Sequence, residues 1–314
     1  MTTVRTPNVF LVGAGSVASA LAGALRLAGV PVLGLWARRP EAARQAASIA
    51  GVAAFSSALP DLLLEADVVI VAVRDDAIGE VAEMLVGTGL VTRRHVLLQC
   101  SGARPAAESF QAVTGRVAGL GTLHPLRSIA LPSEASRTLA GTLFGVEGDA
   151  VGRTAAMELV HHLRGKPLDL DSGQMALYHA AAATASNCVV ALLSAAAEIL
   201  SKAGITKEQA MPALMPLVKA TVDNVERVGV PRALTGPIAR GDASTVRRHL
   251  QAISEHAAAH LPLYVAASTQ AVKLARAKGD ASDGDLRKIE QALAEARERS
   301  FSDPPAGEKP FVTE

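Results

Sequence analysis

Apolar positions come first in short continuous runs and later at helical spacing, and this change of period divides the chain in two. The stretch Asn8-Val-Phe-Leu-Val-Gly-Ala-Gly-Ser-Val-Ala-Ser-Ala-Leu-Ala22 opens with an apolar run from Val9 to Val12. Gly13 and Gly15 interrupt it, and Val17, Leu21 and Leu25 then recur four residues apart. The run reads as a strand, the glycines as a tight turn and the recurrence as one face of a helix. Residues 31–36 supply a second strand after a helix that Gly29 ends, so 8–36 has the size of a βαβ unit of about thirty residues. Further strands are predicted over 52–55, 66–73, 95–100, 116–120, 142–146 and 166–169, with a helix over 152–164. The run 66–73 is apolar throughout, as in a strand buried on both faces, which marks a parallel sheet.

From Ser172 onward the pattern is helical, with segments over 174–203, 207–228, 242–260, 262–278 and 283–299 and an ordered turn over 235–242. The predicted fold is α/β: a mostly parallel, Rossmann-type sheet over 1–171, followed by a separate all-α domain over 172–300 for substrate binding and dimerisation. The Pro-rich remainder, 301–314, is expected to be disordered.

The glycine turn carries the first candidate chemistry. In Gly13-Ala14-Gly15-Ser16-Val17-Ala18, Gly13 lets the chain turn sharply, Gly15 lets backbone approach a pyrophosphate, and Ala18 lets helix lie close on strand. Amides at the helix start then hold phosphates. At the end of the second strand, where a carboxylate receives the ribose hydroxyls of NAD, stand Arg38 and Arg39. Two guanidiniums suit a 2′-phosphate, so the expected cofactor is NADP rather than NAD. The turn at Val73 and Arg74 should border it, with Asp75 or Asp76 capping the next helix. Ser101 follows the fifth strand, and His124 lies on the loop after the sixth. Both fall at strand carboxyl ends, where ligands sit in such sheets, so a hydroxyl and an imidazole converge on a substrate lying against the nicotinamide. The competing readings are a helix cap for Ser101 and a buried turn residue for His124.

Composition narrows the picture only a little. The 314 residues are 49% apolar with a net charge of +1, so nothing points to nucleic acid or an anionic surface. Arg26 and Pro31 break the opening apolar run, and no other window approaches the uninterrupted run of about eighteen residues that a membrane span needs. Cys100 and Cys188 lack metal-ligand spacing, which leaves a reducing cytoplasm as the expected compartment. His249, His256 and His260 share a helical face but have no acidic or cysteine companion, so no metal site is expected.

Taken together, the motifs resemble those of the uncharacterised Rossmann-like oxidoreductases whose C-terminal half is a helical domain of unknown function. The resemblance spans nearly the whole chain. It rests on Gly13-Ala-Gly-Ser-Val-Ala18, Val73-Arg-Asp-Asp-Ala-Ile78, Cys100-Ser-Gly102, Leu123-His-Pro-Leu126, Tyr178-His-Ala-Ala-Ala, Ser186-Asn187 and Leu234-Thr-Gly-Pro-Ile-Ala-Arg-Gly-Asp242. More distantly, the layout is similar to that of 6-phosphogluconate dehydrogenase, ketopantoate reductase, pyrroline carboxylate reductase and prephenate dehydrogenase. The resemblance to prephenate dehydrogenases implies substrate contacts for Ser101 and His124. The chain departs from the better-studied members where their catalytic Lys-x-x-x-Asn pattern is expected: Tyr178, His179, Ala183 and Asn187 occupy that region without a lysine. The resemblance therefore leaves His179 or Tyr178 to replace the ammonium, with Asn187 two helical turns beyond His179.

The expected function is NADP-dependent hydride transfer to or from a small polar, carboxylate-bearing keto, hydroxy or imine compound bound between the domains of a homodimer. His124, Ser101, His179 and Asn187 are the catalytic candidates. The reading from another class is a non-catalytic NADP(H) sensor or scaffold, which needs no proton donor at the nicotinamide.

Overall fold

Val9, Phe10, Leu11 and Val12 are all buried to 0% exposure, and such two-sided burial belongs to the middle of a sheet. The structure, a computed structural model, describes residues 5–302. In chain order it begins β1 (Val9–Val12), α1 (Ser16–Leu27), β2 (Val32–Trp36), α2 (Pro40–Ala50), β3 (Ala54–Phe55), β4 (Val68–Val71) and α3 (Ile78–Gly87). There follow β5 (Val96–Gln99), α4 (Ala106–Ser109), β6 (Gly119–Pro125), α5 (Pro132–Thr138), β7 (Leu143–Gly148), α6 (Ala150–His162), β8 (Lys166–Asp169) and α7 (Met175–Ala185). The strands form one eight-stranded sheet in the order β3-β2-β1-β4-β5-β6-β7-β8. All neighbours are parallel except β6 and β7.

Alternation along β1 divides the core into two layers. Val9 and Leu11 join Ile70, Leu98, Leu123, Phe144 and Val146 under α1 and α6. Phe10 and Val12 join Val69, Val71, Leu97 and Phe110 under α3 and α4. The chain leaves β1 toward β2 on one side and reaches β4 on the other, and the reversal of strand order there opens the crevice in which such sheets bind ligands.

Three departures from the sequence reading matter for the site. First, β6 runs to Pro125, so His124 lies within the strand and not on a loop after it. The cause is β7, whose antiparallel ladder pairs Leu123 with Val146, His124 with Gly145 and Pro125 with Phe144, beyond the end of the pairing with β5. Second, the chain divides into compact units over 1–186 and 187–314, so α7 goes with the sheet rather than with the later helices. Buried Met175 and the contacts of Tyr178 described below hold it there. Third, the helix expected over 174–203 is broken at Ser186, where φ −119° and ψ −75° end α7.

The second unit contains α8 (Asn187–Lys202), α9 (Lys207–Val228), α10 (Ala243–His256), α11 (Leu261–Lys278) and α12 (Asp283–Ser302). Its core lies on the last three, with Val246, Leu250, Ile253, Val265, Val272, Leu286, Ile289 and Leu293 packed together. Between them α8 and α9 bury only Ala195, Ala197 and Ala210, while Val190, Leu217 and Val222 are 67%, 64% and 58% exposed. Contrary to the expectation from uninterrupted runs, the stretch Ser172–Lys202 is long and apolar enough in length and composition to cross a membrane. Within it an 18-residue window has a mean hydropathy of 1.6 and is 11% buried. Alanines keep that average high through interruptions such as Thr184 and Asn187. Of the tail expected over 301–314, Phe301 and Ser302 instead continue α12, and the remainder lies outside the described residues.

Phe144 anchors β7 in the core at 0% exposure. Phe144→Ala should lower the unfolding free energy by about 3–5 kcal/mol, read from urea denaturation; a loss below about 1 kcal/mol would mean that the strand is held by its ladder alone.

Candidate active site

At the cofactor end the glycines have separate reasons to be there. Gly13 has φ +130°, and an added Cβ would lie 2.1 Å from the Ala72 carbonyl oxygen. No other residue fits that turn without moving β4. At Gly15 nothing lies within 4 Å of an added Cβ, so the space above its backbone is open. Gly15 is also the N-cap of α1 and offers no capping side chain, which leaves first-turn amides of Ser16 and Val17 available to an anion. Ala18 is fully buried, as close packing of α1 on the sheet requires. Ala14 packs against the core at the turn, and Val73 Cγ1 lies 3.4 Å from the added Cβ at Gly13. Arg38 and Arg39 are exposed at the end of β2 and make no ion pair among the described residues. Arg74 pairs instead with Asp76, its Nε donating at 3.0 Å, so it does not stand free at the turn. These residues fit a dinucleotide with a 2′-phosphate: open backbone for the pyrophosphate and two unpaired guanidiniums for the extra charge.

A second group gathers at the carboxyl ends of β4, β5 and β6. Ser101, buried just after β5, donates its hydroxyl proton to Asp75 Oδ2 at 2.8 Å. Asp75 therefore binds the serine across the crevice instead of capping a helix, and neither segment after Arg74 has a side-chain cap. Ser101 does not cap α4 either, whose N-cap is Pro105. On β6, His124 Nδ1 lies 2.8 Å from Tyr178 Oη, with the rings edge to face at 5.5 Å. The His179 ring stands 5.8 Å from that of His124, at 73°.

Two glycines make room for these rings. An added Cβ at Gly102 would meet His179 Cδ2 at 2.8 Å and His124 Nε2 at 2.9 Å, and one at Gly145 would meet Tyr178 Oη at 2.8 Å. His124, Tyr178 and His179 thus close over bare backbone. Ser101, His124 and His179 thus lie in one neighbourhood. Asn187 opens α8 in the second unit and is exposed.

Burial dominates the electrostatics. It pushes His124 down to about 4, helped by the neighbouring His179 and opposed by Asp75. At neutral pH the imidazole is therefore uncharged. Burial likewise pushes Tyr178 up to about 12, with a backbone hydrogen bond from Gly145 working against it. The Cys100 thiol beside Ser101 is also raised to about 12 by burial, which keeps it from acting as a nucleophile. Asp75 is the member that sequence reasoning missed: its partner stands 26 residues away, and its local context is that of a helix start.

The three histidines of the second unit are engaged separately. His249 Nδ1 lies 2.9 Å from Tyr264 Oη, His260 Nε2 lies 3.0 Å from Glu198, and His256 lies beside Glu255. Among the described residues, no group of three or more histidines, cysteines and carboxylates is placed to hold a metal ion. Asp242 caps α10, and hydrogen bonds from Thr245 hold its carboxyl below the usual carboxylate range.

Comparison with known proteins agrees with this geometry. Residues 8–97 match the family described as NADP oxidoreductase coenzyme F420-dependent, and residues 142–271 match a domain of unknown function, DUF2520. Together they cover more than half of the chain. No curated protein matches it in sequence. Among solved structures, protein TM1727 from Thermotoga maritima is 25% identical over 86% of this chain and 99% of its own, at a TM-score of 0.66. An imine reductase from a Pseudomonas species is 20% identical over 93% of this chain and 100% of its own, at 0.55. The NADP-bound pyrroline carboxylate reductase of Plasmodium falciparum is 13% identical over 88% and 98%, at 0.56. At these identities the last two share the fold alone. With its phosphate-binding turn, its unpaired arginines and both domain matches, the chain combines a Rossmann-type NADP oxidoreductase domain with a following DUF2520 domain.

Proposed function

We propose that the protein transfers a hydride between NADP(H) and the C=O or C=N group of a small polar compound carrying a carboxylate, with His124 and Tyr178 moving the accompanying proton. The observation that carries this reading is the 2.8 Å contact of the His124 imidazole with Tyr178 at the glycine-lined end of β6. Imine and pyrroline carboxylate chemistry among the fold neighbours supports the substrate class.

NADP(H), when bound, supplies or accepts the hydride. Gly13, Gly15 and the start of α1 hold its pyrophosphate, and Arg38 and Arg39 hold its 2′-phosphate. Ser101, whose hydroxyl proton is held by Asp75, offers its remaining lone pair to an O–H or N–H of the substrate. Tyr178 Oη receives the Gly145 backbone and donates to His124 Nδ1, leaving the His124 proton on Nε2, the atom beside Gly102. In the reducing direction the Nε2 proton passes to the substrate while the Tyr178 proton passes to Nδ1. The imidazole thus stays neutral and solvent reprotonates the phenolate. The reverse sequence serves oxidation. A half-buried imidazole held near 4 is a poor store of charge, and the tyrosine lets it conduct a proton without becoming a cation.

We further propose that a second copy of the chain covers the exposed apolar face of α8 and α9. Two of the five helices described in the second unit bury only three alanines between them, and helices of this kind are stable when a partner covers them. Light scattering at micromolar concentration should give the mass of two chains; the mass of one would refute it.

Arg38 and Arg39 should make NADPH bind about tenfold or more tightly than NADH, a difference that falls to near unity in the double alanine variant. Calorimetric titration showing equal affinities in the unaltered protein would overturn the assignment.

His124→Ala should lower turnover by about a hundredfold or more, and Tyr178→Phe by a smaller factor, while NADPH affinity stays nearly unchanged. Because burial lowers the His124 pKa, the imidazole is neutral above about 4 and charged below it. The acidic limb of the rate profile should therefore lie near 4 rather than near the unperturbed value of about 6.5, and His124→Ala should abolish it. A variant that keeps its rate but melts several degrees lower would make the imidazole a structural residue.

A further inference from the structure

Glu147 on β7 is 2% exposed, and it makes no ion pair among the described residues. A buried carboxyl group without a cation is expensive, so its hydrogen bonds have to hold it. Three donors do. Oε2 accepts the Ala106 backbone N–H at 2.9 Å and the Thr122 hydroxyl at 3.1 Å, and Oε1 accepts the Ser172 hydroxyl at 2.7 Å.

Each donor belongs to a segment that carries part of the site. Ala106 begins α4, four residues after Gly102. Thr122 precedes His124 by two residues on β6, so both point to one face of the sheet, and their partners across the ladder are Glu147 and Gly145. Ser172 opens the turn that leads into α7, where Asp171 and Gln174 form a capping box ahead of Tyr178 and His179. Gln99 extends the set, its Nε2 donating to Thr122 Oγ1 at 3.1 Å and to the Arg104 carbonyl at 2.6 Å. The loop that carries Ser101 and Gly102 is thereby tied at Arg104 and again at Ala106.

We propose that Glu147 is the positioning residue of this site, its buried carboxyl group fixing the Ser101–Gly102 loop, the His124 strand and the Tyr178–His179 helix in one geometry. The proposal rests on the functional reading only in assigning a use to that geometry. Glu147 touches none of the proton-carrying atoms and acts by holding the segments that present them. Both oxygens are occupied by donors from three separate elements, an arrangement a shorter or apolar side chain cannot reproduce. Glutamine comes nearest, since its carbonyl can accept from Ala106 and Thr122 while its amide donates to the Ser172 hydroxyl, which accepts as readily as it donates.

The test is the titration of the His124 ring by NMR in the full chain without substrate, together with turnover and NADPH binding. His124 faces Tyr178 and His179 from α7, and Asp75 and Ser101 from the loops. Loosening any of these admits water and relieves the burial that keeps its midpoint low. Glu147→Ala should raise the midpoint by about one unit or more toward 6.5 and lower turnover about tenfold or more, while changing NADPH affinity by less than about twofold. Glu147→Gln should restore most of both losses. An unchanged His124 midpoint in folded Glu147→Ala, or equal losses in the two variants, would overturn the proposal. Should Glu147→Ala fail to fold, Thr122→Val and Ser172→Ala each withdraw one donor. Smaller upward shifts in both would support the proposal, and unchanged midpoints in both would overturn it. Because the titration needs no substrate, a protein that reduces no carbonyl or imine compound yet shows these shifts would fault the functional reading and not the role of Glu147.

Discussion

The antiparallel pairing of β7 with β6 is the constraint on which the site depends. A sheet that stayed parallel to its edge would end the pairing of β6 near Thr122, where β5 stops. By running the other way, β7 carries the ladder on to Pro125 and sets Gly145 opposite His124 and Glu147 opposite Thr122. The small residue leaves space for Tyr178 over the imidazole, and the large one supplies the acceptor that gathers three segments. Both follow from the alternation of a strand, which sends Phe144 and Val146 into the core beneath α6 and leaves Gly145 and Glu147 to the opposite face.

That geometry determines the chemistry. An imidazole in water serves as an acid near pH 6.5, but this one is enclosed by α7 and the β5–α4 loop and is held near 4. Enclosure costs it the charged form and supplies a phenol within hydrogen-bond distance. In the proposed reaction the tyrosine, and not a lysine, supplies the second proton, and the imidazole never becomes a cation. The price is tight packing: Gly102 and Gly145 have no room for a methyl group.

Much of this was legible in the sequence where the signal is local. The turn at Gly13 and Gly15, the strands 9–12 and 32–36 and the helix 207–228 follow from periodicity and from glycines that only one backbone conformation explains. Ser101 and His124 are candidates because they follow predicted strands, and His179 because it stands where the resembling enzymes carry their lysine motif. Pairing between distant segments was not legible. The length of β6 depends on a strand twenty residues later, and Asp75 reads as a cap until Ser101 is seen to bind it. Helix α7 has the composition of the helical half, yet its contacts bind it to the sheet. The depressed pKa of His124 is likewise a property of enclosure, which no spacing of residues records.

The central claim is that the substrate's oxygen or nitrogen sits at the His124–Tyr178 pair beside Gly102 and Gly145. A crystal structure of the protein with NADP and an unreactive keto-acid analogue tests it most directly. The account predicts the analogue's carbonyl oxygen within hydrogen-bond reach of His124 Nε2, about 2.6–3.2 Å, with the nicotinamide beside it. A nicotinamide ring placed elsewhere along the sheet, or an analogue that leaves His124 Nε2 facing only protein, would contradict it.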